Sequence, residues 1–228
     1  MNIKTNLIFY PDKVINEVFP LILTKGSKEL GNSKKLNQYG ISLREIFGLC
    51  ILTIFRKRLD KNKHWVFSTD PKLSDDGIIA TIGDGNKLSY YENLEQVYLP
   101  GKFLGRDHPQ SMNDHILKHV YRTKDKGSEY RKNTSLFILS DVQSQNNSDC
   151  FEWQDFVKKF FAKESFLHLY FLSLLKHTDQ YNEYYLLSFT NQKHRQNLNG
   201  EFKIKISSDG KMRFKCLQKI NLLRKKSI

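Results

Sequence analysis

Acidic side chains flank a predicted β-hairpin at residues 73–99, and they are the residues in this chain best suited to chemistry. Asp76 stands just before one apolar run, while Glu92 and Glu95 lie in the next extended run, and small polar residues at 83–87 favour a tight turn between them. Such a hairpin places Asp76 at the start of one strand and Glu92 or Glu95 on its neighbour. Paired carboxylates can share a divalent cation, because hard cations prefer oxygen ligands. Solvated acids at a strand end and turn are the alternative interpretation.

A helix is predicted immediately upstream, from Ser42 to about residue 58. Ser42 and Glu45 have the spacing of a capping box, in which each side chain satisfies a backbone N–H of the first turn. Apolar residues occupy nearly all faces of this segment, which predicts a helix buried between layers. Glu45 is therefore either the cap residue or, if the helix begins near Ile41, a carboxylate directed toward the interior that needs a partner.

The composition favours an anionic partner. Among 228 residues there are 37 Lys and Arg against 24 Asp and Glu, a net charge of +13. Such an excess predicts binding to a phosphate backbone, which makes nucleic acid, and DNA in particular, the expected partner. An anionic membrane surface is the alternative, but the sequence contains no long basic amphipathic helix of the kind that lies on a bilayer.

The apolar stretches and the cysteines indicate the cellular compartment of the protein. The longest apolar stretch, residues 41–55, contains two charges and falls short of the roughly 20 residues that a bilayer span needs. Three cysteines without a CxxC pair do not form a disulfide framework, and the first residues lack the apolar region of a secretory signal. We therefore expect a cytoplasmic protein with no membrane association.

A second helix, predicted at residues 111–126, carries a basic face suited to phosphates. Its apolar stripe would pack on the core, and its other side presents four cations that can contact a nucleic-acid backbone. These predicted nucleic-acid-binding residues are Lys118, Arg122, Lys124 and Lys126. The polar, lysine-rich segment 26–40 could add a basic loop, although a solvated linker is the alternative.

The remaining patterns complete a layered α/β chain. We predict a helix beginning at Pro11, another around residues 153–160, and a hairpin near the C-terminus. Further strands are predicted at 6–10, 64–68, 135–139, the first half of 166–175, and 183–190, and the hairpin covers 201–217. Helices placed between strands predict an α/β fold with a central mixed β-sheet flanked by helices.

Three of these residues carry a family resemblance. With Glu45 on the first helix, Asp76 at a strand start and Glu95 on the next strand, residues 41–140 resemble the restriction-endonuclease-like nucleases of the PD-(D/E)XK superfamily. In that family an Asp and a Glu on adjacent strands bind Mg²⁺, and a helix glutamate sometimes joins the site. The resemblance implies that Asp76 and Glu95 bind Mg²⁺ or Mn²⁺, with Glu45 and Gln96 as auxiliary catalytic residues.

The chain departs from the family pattern at one position. The family has a lysine two residues after the glutamate, where it helps to position the attacking water, whereas this chain has Val97. Three lysines elsewhere are candidates to replace it: Lys87, Lys118 and Lys132. Otherwise the site works without a lysine, or it is inactive.

The sequence thus predicts a single domain over residues 1–228, with a restriction-endonuclease-like core at about 41–190 and a C-terminal hairpin extension at 200–217. The leading hypothesis is a divalent-metal-dependent endonuclease that hydrolyses phosphodiester bonds of DNA, acting as a homodimer if both strands of a duplex are cut. The second hypothesis is a non-catalytic nucleic-acid-binding or accessory protein on the same fold. The third is a basic protein–protein interaction module.

Overall fold

The computed structural model describes two helices and nine strands. The described residues are 7–25, 30, 34–72, 74, 76–83, 87–99, 132–140, 157, 160–161, 166–191 and 198–220. The elements, in chain order, are β1 Ile8–Phe9, α1 Pro11–Lys25, α2 Leu43–Leu59, β2 His64–Ser68, β3 Ile78–Ile82, β4 Leu88–Leu99, β5 Thr134–Ser140, β6 His168–His177, β7 Tyr181–Thr190, β8 Gly200–Ser207 and β9 Met212–Lys219.

All nine strands belong to one mixed sheet, and they lie side by side in sequence order from β1 to β9. The pairs β4–β5 and β5–β6 are parallel, and the other six pairs are antiparallel. The parallel centre agrees with the composition of β5, whose seven residues are all buried, as expected for a strand covered on both faces.

Helix α2 is the centre of the main core. Its N-cap is Ser42, and the predicted capping box with Glu45 is present. Near its other end, the Arg56 guanidinium lies 4.8 Å from the Trp65 ring of β2, and Arg58 Nη2 donates to the Met212 carbonyl of β9 at 3.0 Å. Strands β2 and β9 are seven sheet positions apart, roughly 34 Å in a flat sheet at the usual strand spacing. The sheet therefore curls around the helix.

The two faces of the sheet have separate apolar clusters. Both helices pack on the inner face, where aromatic side chains from α2 meet those of distant strands, for example Phe47 with Tyr184 and Phe55 with Phe202 at ring separations of 5.5 and 4.8 Å. The outer face has its own cluster around β5 and β6, which includes the helical residues Val157 and Phe160. Strands β5 and β6 are therefore covered by apolar side chains on both faces, which is the usual environment of parallel strands.

The mixed α/β class and the central mixed sheet are confirmed, and the helix-flanked arrangement is seen only in part. The sheet is larger and more antiparallel than expected, and both complete helices described lie on one face. The C-terminal hairpin is continuous with the sheet, since β8 pairs with β7 along its whole length. The helix predicted at 111–126 lies outside the described residues.

Candidate functional site

The register between β3 and β4 decides which carboxylates are neighbours. Ile78 pairs with Asn93, and the Leu94 N–H donates to the Gly77 carbonyl at 3.0 Å, which extends the antiparallel pairing one residue beyond the strand. One further step brings Asp76 level with Glu95. Glu92 instead lies opposite Ile79, inside the ladder. Of the two glutamates left open by the sequence, the structure therefore places Glu95 beside Asp76.

Gly77 positions Asp76 at this point. Its φ of +99° is a left-handed conformation that side-chain-bearing residues rarely adopt, and a Cβ there would lie 2.9 Å from the Ser68 carbonyl oxygen and 2.7 Å from Leu49 Cδ1. Only glycine allows β3 to begin this close to β2 and α2. The chain entering β3 is thereby held against the core, with Asp76 at its entrance.

The Asp76 carboxylate makes a structural contact as well. Its Oδ2 accepts a hydrogen bond from the backbone N–H of Gln96 at 2.9 Å. That N–H points toward β3, so the carboxylate takes the place that a backbone carbonyl would occupy in a regular ladder. Asp76 is 6% exposed, so this contact is made in a largely desolvated site.

Gln96 joins Asp76 to the start of α2. Its Nε2 donates to the Glu45 carbonyl oxygen at 2.9 Å, while its Oε1 is buried and no described residue donates to it. A Cβ on Gly48 would lie 2.5 Å from this Oε1, so the glycine leaves the space that the amide occupies. Gln96, Asp76 and the backbone of Glu45 thus form one connected group.

The Glu45 side chain is the N-cap partner. Its Oε2 accepts from the Ser42 backbone N–H at 2.7 Å, and its own N–H donates to Ser42 Oγ at 3.4 Å. Of the two alternatives for Glu45, the capping role is the one observed. Glu45 is joined to Gln96 through its backbone carbonyl and not through its carboxylate.

Glu95 is completely buried and faces the other side of the sheet from Gln96. It pairs with Leu136 of β5, whereas Gln96 pairs with Phe137, and these partners belong to the outer and inner apolar clusters respectively. Gln96, Asp76 and Glu95 therefore meet at one corner of the sheet, with Asp76 at the strand entrance between the two faces. Of the predicted residues, Asp76 lies level with Glu95 and accepts a hydrogen bond from the Gln96 backbone, while the Glu45 carboxylate is engaged by Ser42.

Glu92 belongs to a separate buried network that sequence reasoning missed. Its Oε2 accepts from Tyr90 Oη at 2.8 Å and lies 3.9 Å from Arg56 Nη2 and 3.5 Å from His168 Nε2. Arg56 Nη1 is 3.2 Å from His168 Nε2, and His168 Nδ1 is 3.2 Å from Thr190 Oγ1. Because a guanidinium only donates, we assign Nε2 as the acceptor and place the imidazole proton on Nδ1.

Electrostatics in this network are governed by burial and by the carboxylate. Burial lowers the pKa of Arg56, but the Glu92 carboxylate together with Tyr170 and Tyr90 outweighs burial, so the pKa is above its ordinary value. Burial and then Glu92 raise the pKa of Tyr90 and of Tyr170. The arginine is therefore a permanent buried cation that fixes α2 to β4 and β6. No local signal could have paired Arg56 with His168, which is 112 residues away in the chain.

The lysines proposed to replace the family's catalytic lysine do not lie near Asp76, as far as the described residues show. Lys87 precedes β4 and is eight residues before Glu95, roughly 26 Å along a strand. Lys132 precedes β5, and continuing the β4–β5 register places it beside Tyr91, roughly 13 Å from the level of Glu95. Lys118 lies outside the described residues.

The predicted binding residues of the basic helix, Lys118, Arg122, Lys124 and Lys126, likewise lie outside the described residues. Within the described ranges no group of three or more His, Cys, Asp or Glu side chains is arranged to hold a metal ion. Neither α1 nor α2 combines the length and the apolar composition that crossing a bilayer requires, and the finding applies to the described residues alone.

Comparison with known proteins does not show a family. No family model and no curated protein matches the chain. Among solved structures, the chain is similar to the crystal structure of the central domain of yeast acetyl-CoA carboxylase, with a TM-score of 0.37 and 10% sequence identity. The alignment covers 92% of this chain and 41% of that one, so this chain spans about two fifths of its length. A likeness this distant supports no functional argument.

Proposed function

We propose that the chain is a divalent-metal-dependent nuclease, with Asp76 and Glu95 as the metal ligands and DNA as the substrate. The observation that carries this proposal is the β3–β4 register, which sets Asp76 level with Glu95 at the entrance of β3. In this proposal a cation lies between the two carboxylates and offsets the repulsion between their charges.

The donor set suits Mg²⁺ or Mn²⁺. Mg²⁺ keeps several waters and is held by one or two carboxylates together with substrate phosphates, so a pair of protein carboxylates is sufficient. The buried Gln96 Oε1 is not counted among these donors, because it lies beside Gly48 on the inner side of the sheet, whereas Glu95 faces the outer side. When bound, the cation would lower the pKa of a water and neutralise charge on the phosphate.

The residues of the chain would provide the positioning. Gln96 holds the Asp76 carboxylate through its backbone N–H and fixes its own amide against the first turn of α2. Gly77 and Gly48 allow the strand entrance and the helix to approach this closely. Glu95 would therefore lie on a strand, and Asp76 two residues before β3, where its hydrogen bond to the Gln96 N–H fixes it.

A second candidate function is nucleic-acid binding without cleavage. It is favoured by Val97 at the position where the resembling family has a lysine, and by the distance of Lys87 and Lys132 from Glu95. In this alternative the acidic corner is structural, and the Asp76 carboxylate accepts the Gln96 N–H without binding a metal ion.

The test is cleavage of supercoiled plasmid and of single-stranded DNA with Mg²⁺ or Mn²⁺, compared with EDTA. Asp76→Asn is the decisive variant, because the amide oxygen can still accept from the Gln96 N–H while the charge is lost. Glu95→Gln is its counterpart on β4. Loss of a metal interaction worth several kcal/mol predicts a rate reduction of about 100-fold or more in each variant.

Asp70→Asn is the matched control. Asp70 is also buried, and its Oδ1 accepts the Lys72 backbone N–H at 3.0 Å, so the substitution removes a carboxylate of similar structural role. The nuclease proposal requires wild-type cutting with Asp70→Asn and none with Asp76→Asn. Metal-dependent cutting that survives in Asp76→Asn would remove this site, and DNA binding without cutting by the wild type would support the non-catalytic alternative.

A further inference from the structure

A basic surface covers the outer side of the last strands. In β8, Lys203 and Lys205 point to this side, since the residues between them, Phe202, Ile204 and Ile206, belong to the inner core. The register pairs Lys203 with Lys215 and Lys205 with Arg213 across β8 and β9. Lys176 of β6 lies level with Glu183 on the same side. We call the five cations Lys176, Lys203, Lys205, Arg213 and Lys215 the basic sheet face.

This arrangement is unfavourable for the isolated sheet. Like charges directly opposite one another on paired strands are destabilising, and here two such pairs stand next to each other. On this side of β7 and β8 the described carboxylates are Glu183, which pairs with Lys203 at 2.6 Å, and Glu201. Five cations against two carboxylates leave an excess of positive charge, which a polyanion would offset.

Aromatic side chains lie among these cations. Lys205 Nζ is 3.5 Å from the centroid of the Tyr181 ring, and Lys176 Nζ approaches the same ring at 5.7 Å. These contacts hold the two ammonium groups over one ring and keep them close together. Arg213 and Lys215 are exposed on the neighbouring edge strand and accessible to a partner.

The spacing of the charges fits a phosphate backbone. Alternate residues on a strand are roughly 6.6 Å apart and neighbouring strands roughly 4.8 Å apart, so the cations form a small grid. Phosphates follow each strand of duplex DNA at about 3.4 Å of helix rise, so successive or alternate phosphates can meet successive cations of such a grid. The backbone near the grid is firmly placed, because the β8–β9 turn at Gly210 packs against Asn16 of α1.

We propose that the basic sheet face is a docking surface for the phosphate backbone of duplex DNA. It lies on the same side of the sheet as Glu95 and four strand positions away, roughly 19 Å across the sheet. Binding there requires no cleavage, so the proposal is independent of whether the acidic corner cuts DNA. Lysines on an edge strand can also prevent pairing with another sheet, but that role needs charges on β9 alone and does not account for those on β6 and β8.

The experiment measures fluorescence anisotropy of a labelled 20-base-pair duplex with the full chain in EDTA, over a series of KCl concentrations. The test variant is Arg213→Gln/Lys215→Gln, whose side chains are exposed and whose loss leaves the core intact. The control is Lys61→Gln/Lys72→Gln, which removes the same charge from exposed positions near β2. Because the assay contains EDTA, it measures binding without metal-dependent cleavage.

The proposal predicts at least a tenfold weaker affinity at 100 mM KCl for the test variant, with little change for the control. Each lost phosphate contact reduces the slope of log K against log salt by about 0.9, so the slope should fall by about 1.8 in magnitude.

Equal losses in the test and control variants would overturn the proposal, because only net charge would then matter. Unchanged DNA binding by the test variant would also overturn the proposal. Aggregation of that variant would then indicate that the charges protect the sheet edge, and loss of binding to phosphatidylserine vesicles would indicate a membrane surface as the partner.

Discussion

Removing the Glu92 carboxylate is expected to destabilise the protein strongly, because it leaves the Arg56 cation buried without its counter-ion. The proposed change is Glu92→Gln, which keeps the shape of the side chain and an oxygen that can accept from Tyr90. Both charged side chains are almost fully buried, with exposures of 1% for Arg56 and 0% for Glu92. The interaction is therefore not reduced by solvent, as it would be at the surface.

The magnitude follows from the distance. Arg56 Nη2 and Glu92 Oε2 are 3.9 Å apart. Coulomb's law with an effective dielectric constant of about 20 gives roughly 4 kcal/mol at that separation, and breaking one side of a buried pair typically costs about 3–5 kcal/mol. For a chain of this length such a loss lowers the midpoint of thermal unfolding by roughly 10 °C.

The assay is urea denaturation at pH 7, with Asp12→Asn as the control. Asp12 forms an ion pair with Lys57 whose side chains are 57% and 49% exposed, so its loss should cost less than about 1 kcal/mol. The double variant Arg56→Met/Glu92→Leu should lose less than Glu92→Gln, since no buried charge remains. A loss from Glu92→Gln no larger than that from Asp12→Asn would refute the reasoning.

Two further predictions concern the strand entrance and the tyrosines. Gly77→Ala should lower stability by about 2 kcal/mol or more, because alanine at φ +99° costs roughly 1–2 kcal/mol before the clash with the Ser68 carbonyl is counted. Wild-type stability in urea melts would contradict this. Burial raises the pKa of Tyr170 and Tyr184 above the ordinary value, so the folded state keeps protons that the unfolded state releases. The contribution of each tyrosine is fully present below pH 10 and falls by about 1.4 kcal/mol per pH unit above it. Tyr184→Phe should therefore make the loss of stability shallower by about that amount per unit in melts between pH 10 and 11.

Local patterns were sufficient for most elements. Helix α2 was predicted within a residue of its bounds, because its cap and its apolar composition act within the segment itself. Strand β2 and the hairpin of β3 and β4 were also predicted, since alternation and turn residues are local signals. The wide curl of the sheet around α2 was not predicted, because it depends on contacts between strands that are distant in sequence.

The candidate site was predicted in part, for the same physical reason. The hairpin pattern identified Asp76 and left Glu92 and Glu95 as alternatives on the next strand, and it was the family resemblance that selected Glu95. That choice depends on the register, and a hairpin register is set by the turn and by packing on both faces. Arg56 was not singled out from the sequence, because a cation at the end of a helix gives no local sign of burial. In the structure it is buried among residues from β4 and β6.

Asp76 has a structural role that does not by itself require a charge. Its Oδ2 occupies the position of a ladder carbonyl for the Gln96 N–H, and a neutral amide could fill that position. Burying an ionised carboxylate costs more free energy than burying an amide. A neighbouring carboxylate at Glu95 increases that cost, and a bound cation would reverse it. Metal binding should therefore stabilise the wild type more than Asp76→Asn. A higher concentration of Mg²⁺ or Mn²⁺ should raise the unfolding midpoint of the wild type and leave that of Asp76→Asn unchanged. Equal shifts in both proteins would mean that the cation binds elsewhere.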